Sequence, residues 1–308
     1  MPESDASRLT AQQNLTPAES KSAAMTKAGI SSNVGCLTVK FWGVRGSLPT
    51  PGSDTVRYGG NTACVEIMLP KHRLIFDGGT GLRVLGKHLL DAQEAVNAHI
   101  FFTHTHWDRI QGFPFFGPAF IACNHFDVYG AMAANGASIK QRLTDQMLRP
   151  NFFTPLQKMS SDMAFHNITA GSVIHLDEDV TVETLALNTA TSALGFRINY
   201  AGKSVVYATD SHHTTGPDPS LLYLAQGAEL LIYGGSYSEP VYTSVAGDPD
   251  AISCDQSIAI AEKTQVKEMI LFHHNPLHDD DYLDHLEMEI HNRCPQLRLA
   301  REGMILQA

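Results

Sequence analysis

The run Phe101-Phe102-Thr103-His104-Thr105-His106-Trp107-Asp108 constrains this chain more than any other part of it. His99–Phe102 reads as a short buried strand, and His104, His106 and Asp108 follow on the loop at its end. Alternate residues of an extended segment point the same way, so two imidazoles can converge on one ion. Imidazole nitrogens at about 2.0–2.1 Å and carboxylate oxygens at a similar range suit zinc. Iron or manganese suits a set richer in oxygen. A bare His-x-His is more often a pair of loop histidines bonded to backbone. The same pair with a following Asp, placed directly after an apolar strand, is far more specific.

The rest of the chain has to supply a core for that strand, and it can: 43% of its 308 residues are hydrophobic. A net charge of −10 argues against a surface that coats nucleic acid. The five cysteines (Cys36, Cys64, Cys123, Cys254, Cys294) are scattered and never form a C-x-x-C pair. That excludes a disulfide framework and a zinc knuckle, and it fits a reducing, cytoplasmic setting. No run approaches the roughly 18 apolar residues of a membrane span. Residues 1–34 hold no aromatic and no apolar leader segment, so they read as a disordered tail. Docking of residues 17–28 onto a partner as a helix is the alternative.

From residue 35 to 308 the texture is that of one domain. Strands are expected at Leu37–Trp42, Ala63–Leu69, Arg73–Phe76, His99–Phe102, Phe126–Tyr129, Val180–Leu187, Phe196–Tyr200, Ser204–Tyr207, Glu229–Tyr233, Glu268–Phe272 and near Leu297–Ala300. Helices are expected at 82–91, Ser138–Met147, 254–264 (capped by Ser253) and 279–292. Strands lead each half and helices come in late, which suits two sheets between helical layers better than a doubly wound parallel sheet.

Six markers in order resemble the metallo-β-lactamase superfamily, in particular the phosphodiesterase-like branch that includes ribonuclease Z and small cyclic or ribonucleotide phosphodiesterases. They are Phe41-Trp-Gly-Val-Arg-Gly-Ser47, Tyr58-Gly-Gly-Asn-Thr62, Asp77-Gly-Gly-Thr-Gly81, His104-Thr-His-Trp-Asp108, Val206-Tyr-Ala-Thr-Asp210 and Leu271-Phe-His-His-Asn-Pro276. The resemblance implies an α+β fold, an αββα four-layer sandwich with metals held by loops along one edge. It implies two metals sharing a bridging hydroxide, the nucleophile, whose pKa they lower toward neutrality. His104 and His106 match the first metal, Asp108 and His273 the second, and Asp210 the bridge. Asp108 and Asp210 would then carry catalysis. Arg45, Asn61 and His274 lie in segments that border the site in relatives and are candidates to meet a phosphate, with a purely structural turn role equally open.

Four positions depart from the family pattern. Arg109 replaces the histidine that usually follows the motif. Some zinc β-lactamases also carry Arg there and bind metal, but a guanidinium has donors and no acceptor, so it cannot ligate. It can pair with Asp108 and Asp210 in place of a cation, or bond nearby loop carbonyls. Thr189 stands where a further ligand histidine is usual, and no histidine occurs between His175 and His212. Ala251 stands where phosphodiesterases carry a histidine that protonates the leaving group, a role worth ~10²–10⁴ in rate. Gly234 replaces an acidic residue. His212 and His213 read as surface loop histidines, with recruitment to a metal the alternative.

The expectation is therefore a catalytically impaired or silent relative that binds a small nucleotide-like ligand or a protein partner. The alternative is a mononuclear hydrolase of phosphodiester or ester bonds. Asp108, Asp210 and His273 would hold one zinc, the His104–His106 pair would add to them, and iron or manganese would be substitutes.

Overall fold

The computed structural model describes residues 36–187, 193–211, 217–235 and 254–308. The expectations for the 1–34 tail, Thr189, His212, His213, Ala251 and the Ser253 cap lie outside those residues.

Two seven-stranded sheets carry the fold. The first contains β1 (Thr38–Gly43), β2 (Cys64–Met68), β3 (Arg73–Phe76), β4 (Asn97–Phe101), β5 (His125–Ala131), β6 (Asp162–Ile168) and β14 (Ile305–Gln307), in the order β14-β1-β2-β3-β4-β5-β6. The second contains β7 (Val173–His175), β8 (Val180–Ala186), β9 (Leu194–Tyr200), β10 (Lys203–Ser211), β11 (Leu230–Gly235), β12 (Glu268–Leu271) and β13 (Leu297–Leu299), in the order β13-β12-β11-β10-β9-β8-β7. The helices are α1 (Thr80–Asp91), α2 (Trp107–Ile110), α3 (Ile139–Gln146), α4 (Pro219–Ala225), α5 (Cys254–Thr264) and α6 (Asp280–Arg293).

The layering follows from period-two alternation in strands buried on both faces. On β3, Leu74 and Phe76 enter the core between the sheets while Ile75 faces the helices. On β10, Val205 and Tyr207 enter the same core while Val206 and Ala208 face the other helical layer. Leu82, Leu85 and Leu89 of α1 cover the first sheet, and Leu221, Ile260 and Leu283 cover the second. This is the αββα sandwich.

Strands β3 to β6 run parallel to one another, as do β10 to β13. Parallel strands align their carboxyl ends, where open α/β sheets place their sites. The loops after β4 and β12 and the carboxyl end of β10 therefore deliver His104 to Asp108, His273 and Asp210 to one edge. The expected elements are present. Strands β6, β7 and β14 and helices α2 and α4 are additional to them.

Candidate functional site

The edge is built around Asp77, a buried carboxylate at the end of β3 with φ of 60°. Its Oδ1 accepts from the Thr103 amide and hydroxyl, each at 2.9 Å, which fixes the start of the ligand loop. Its Oδ2 accepts from the Tyr207 hydroxyl and from Arg109 Nη1, also at 2.9 Å each. Burial pushes the Asp77 carboxyl above its ordinary range, and the Arg109 charge opposes that rise.

Glycines bring the neighbouring loop in. Gly78 N–H donates to Arg109 O at 2.6 Å and Gly112 N–H to Gly78 O at 2.9 Å. A Cβ on Gly112 would lie 1.9 Å from Gly79 O, so only glycine allows this backbone approach. The short helix α2 is thus stapled to the loop after β3, and Asp108 and Arg109 turn inward.

Arg109 is 1% exposed. Besides Asp77, Nη1 donates to Thr209 Oγ1 at 2.9 Å and Nη2 to the Thr209 carbonyl at 3.0 Å. Nε lies 3.3 Å from Asp108 Oδ2, an ion pair without hydrogen-bond alignment. Burial works against the charge, and Asp77 and Asp108 outweigh it, so the guanidinium is held firmly charged. Of the two expected modes, the structure combines carbonyl bonding with a carboxylate pairing. The pair is Asp77 with Asp108, while Asp210 acts on Arg109 only through its charge.

Asp108 Oδ2 accepts from His273 Nε2 at 2.9 Å and from the Ser47 amide at 3.3 Å. Burial would raise this carboxyl, but Arg109 and the His273 bond hold it well below the carboxylate range. His273 has φ of 66°, and its ring lies against Gly46, where a Cβ would be 2.7 Å from His273 Cε1. Burial lowers the pKa of His273. His104 Nδ1 contacts the Thr103 hydroxyl at 3.0 Å, and Nε2 lies 3.9 Å from Asp210 Oδ2. Burial pushes its imidazole down to about 3 despite the attraction of Asp210. His106 is exposed, with its ring centroid 4.5 Å from that of His104.

The other expected residues take structural places. Arg45 is fully buried, donating from Nε to Gly59 O at 2.7 Å and from Nη1 to His278 O at 2.6 Å. Asn61 Nδ2 donates to Glu302 Oε2 at 3.0 Å. His274 Nε2 bonds the Ala300 carbonyl at 2.8 Å, with the Tyr58 ring edge-on to it. Through these bonds the three residues stitch the loops beside the site. Gly234 sits where a Cβ would come 3.1 Å from His273 Cβ and from Thr209 O, so an acidic side chain there requires the strand ends to move apart. Asp77, Tyr207 and Thr209 were missed as site residues. Their signal was a carboxylate in a glycine-rich turn and polar residues alternating ahead of Asp210.

A family model described as the beta-lactamase superfamily domain matches residues 72–274. The chain belongs to the beta-lactamase superfamily, a family of metal-dependent hydrolases. Among solved structures it is similar to the metallo-beta-lactamase fold protein YhfI from Bacillus subtilis, with 17% identity over 89% of this chain and 100% of that one and a TM-score of 0.61. It is also similar to Zn(2+)-bound PqqB from Methylobacterium extorquens, with 12% identity over 87% and 99% and a TM-score of 0.63. Human tRNase Z, short form, gives 16% identity over 87% and 98% and a TM-score of 0.55. No curated protein matches the chain. Among the described residues no helix is long and apolar enough to cross a membrane.

The family implies metal ions at this edge, and the described donors do not fit them as they stand. Among the described residues no three His, Cys, Asp or Glu side chains gather as a group that could hold an ion. The donors meet as pairs instead, Asp108 with His273 and His104 with Asp210, and the cation on Asp108 is a guanidinium.

Proposed function

We propose that this chain is a catalytically impaired or silent member of its superfamily whose cleft serves as a binding module for a small nucleotide-like ligand or a protein partner. The observation that carries this reading is the buried Arg109, bonded at once to Asp77 and Thr209 and paired with Asp108. A fixed positive charge there neutralises Asp108, one of the two carboxylates that a metal would otherwise hold, and it cannot lower the pKa of a bound water as a metal does. Gly234 and the absence of any histidine between His213 and His273 remove further groups that relatives use for proton transfer. The phosphodiester character of the ligand is drawn from the likeness to tRNase Z and is the weaker half of the reading.

The alternative, a mononuclear zinc, iron or manganese hydrolase, draws support from one feature. If the Thr103 hydroxyl donates to Asp77, it accepts from His104 Nδ1–H, which leaves the lone pair of His104 Nε2 facing Asp210 Oδ2 at 3.9 Å. Two acceptors that face each other favour a cation or a proton between them. The likeness to Zn(2+)-bound PqqB fits the same reading.

Turnover of bis(p-nitrophenyl) phosphate with added zinc, iron or manganese separates the two. The proposal expects the wild type and Asp210→Ala to be indistinguishable from buffer. Metal-dependent turnover that Asp210→Ala abolishes would establish the hydrolase instead.

A further inference from the structure

Away from the ligand loop, toward the starts of β4, β5 and β6, a second group of ionisable side chains gathers. His99 on β4 is register-paired with Asp127 on β5, and His125 on β5 with Asp162 on β6. His125 Nδ1 lies 2.9 Å from Asp162 Oδ2, and its Nε2 lies 3.1 Å from Asp127 Oδ2. The other Asp127 oxygen meets His166 Nε2 of β6 at 2.7 Å, and the His166 ring stacks on Tyr129 at 4.6 Å. On the turn before β3, His72 Nε2 meets Asp177 Oδ2 at 2.8 Å. Asp177 belongs to the turn between β7 and β8, so this bond joins the first sheet to the second.

The proton count follows from geometry. An ionised carboxylate only accepts, so a histidine bonded to two of them through its two nitrogens carries a proton on both. His125 is that histidine. His166 and His72 each donate to one carboxylate. Asp162, Asp127 and Asp177 are therefore each matched by one imidazole. The second proton of His125 puts a positive charge between Asp127 and Asp162, and its loss leaves those two carboxylates facing a neutral ring. His99 lies 3.7 Å from Asp127 Oδ2, and burial keeps it neutral, with His72, His125 and His166 acting in the same direction. Lys71, Arg73 and Glu94 line the groove beside His72 and complete the charged surroundings. No three of these donors form a group that could hold a metal, so protons rather than an ion are what the cluster binds.

We propose that this end of the sandwich is a proton-operated latch. Doubly protonated His125, held between Asp127 and Asp162, fastens β6, an edge strand of the first sheet, to β5. His72–Asp177 ties that sheet to the next, and the His125 fastening loosens as that imidazole loses its second proton. The sign agrees with the shift on His125, which the Asp162 bond raises. A raised histidine contributes fully below its unfolded value of about 6.5 and loses that contribution as pH rises through its folded value. His125 is 37% exposed and Asp162 80%, so the effect is local.

Hydrogen exchange of the full chain, read by mass spectrometry and corrected for intrinsic rates, tests it. Protection of Asp162–Ile168 is expected to be about 3- to 5-fold lower at pH 8.5 than at pH 6, with Leu74–Phe76 unchanged. His125→Gln, which cannot be charged, should abolish that difference. Equal protection at both pH values, or the full difference persisting in His125→Gln, would overturn the latch. Imidazole nitrogen NMR at pH 6 reads the protons directly, on the wild type alone. His125 protonated on both nitrogens beside a neutral His99 is expected, and a neutral His125 overturns the proposal.

Discussion

At the scale of single residues, Arg109 decides how this site is held together. Two acidic side chains, each under a tenth exposed, surround it, and among the described residues no other full positive charge pairs with Asp77. Removing one partner of a buried ion pair leaves the other unpaired, which typically costs about 3–5 kcal/mol. Arg109→Ala is expected to lower stability by that order in urea unfolding, with or without added zinc. Arg109→Lys keeps a charge but loses the fork that reaches Asp77 and Thr209 together, so it should recover only part of the loss. His274 makes a different prediction. Burial pushes its imidazole down to about 3, so the folded chain keeps it neutral while the unfolded chain protonates near 6.5. Its stabilising contribution is complete above about 6.5 and declines as pH falls toward 3, at up to ~1.4 kcal/mol per pH unit. Urea midpoints at pH 7, 6 and 5 should fall in that order. His274→Gln, which keeps a donor for the Ala300 carbonyl, should make the series shallower, and His104 and His273 account for the slope that remains.

At the scale of elements, the staple between α2 and the loop after β3 sets the direction of Asp108 and Arg109. It is made by backbone, so a methyl group suffices to break it. Gly112→Ala places a carbon 1.9 Å from Gly79 O, and the two segments must separate. The expected outcome is a loss of at least 1–3 kcal/mol, the usual cost of overpacking, with changed imidazole resonances for His104 and His273. A folded variant with wild-type resonances would show that the staple does not position the site. The strand that feeds this loop was legible in the sequence because Ile100, Phe101 and Phe102 form an apolar run that ends at a polar motif. The same holds for β10, where Val205 to Ala208 lead into Asp210. Strand β6 was not legible: Asp162, His166 and Asn167 break its apolar pattern, because an edge strand buries little and its polar residues serve the charged cluster instead. Strands β7 and β14 have three residues each, too few to show a period; β7 forms by pairing with the adjacent β8, and β14 by pairing with β1 at the far end of the chain. Arg45 misled for a related reason. A charged residue in a glycine-rich loop looks available to a ligand until the chain near residue 278, more than 200 positions away, closes over it.

At the scale of the whole molecule, the superfamily scaffold is intact while its catalytic edge has changed. Three apolar cores, one between the sheets and one under each helical layer, are in place, and the loops after β4 and β12 still meet the end of β10. Five ligand positions expected from the sequence keep their residue types, and four of them, His104, Asp108, Asp210 and His273, are buried at that edge. What the sequence could not reveal is that these groups are arranged as two pairs around a guanidinium, because that depends on how Asp77 and Thr209 receive Arg109. On the proposed reading the edge keeps its fold without a metal, and metal should add little to its stability. The central claim is therefore that Arg109 takes over the electrostatic work of the ions. Metal content per chain, measured by elemental analysis on protein purified without chelator or metal-binding tag, tests it most directly. About a tenth of an ion per chain or less, unchanged after incubation with zinc, iron or manganese, is the expected result. One or two ions per chain, lost in Asp210→Ala, would contradict it and return the site to metal-dependent hydrolysis.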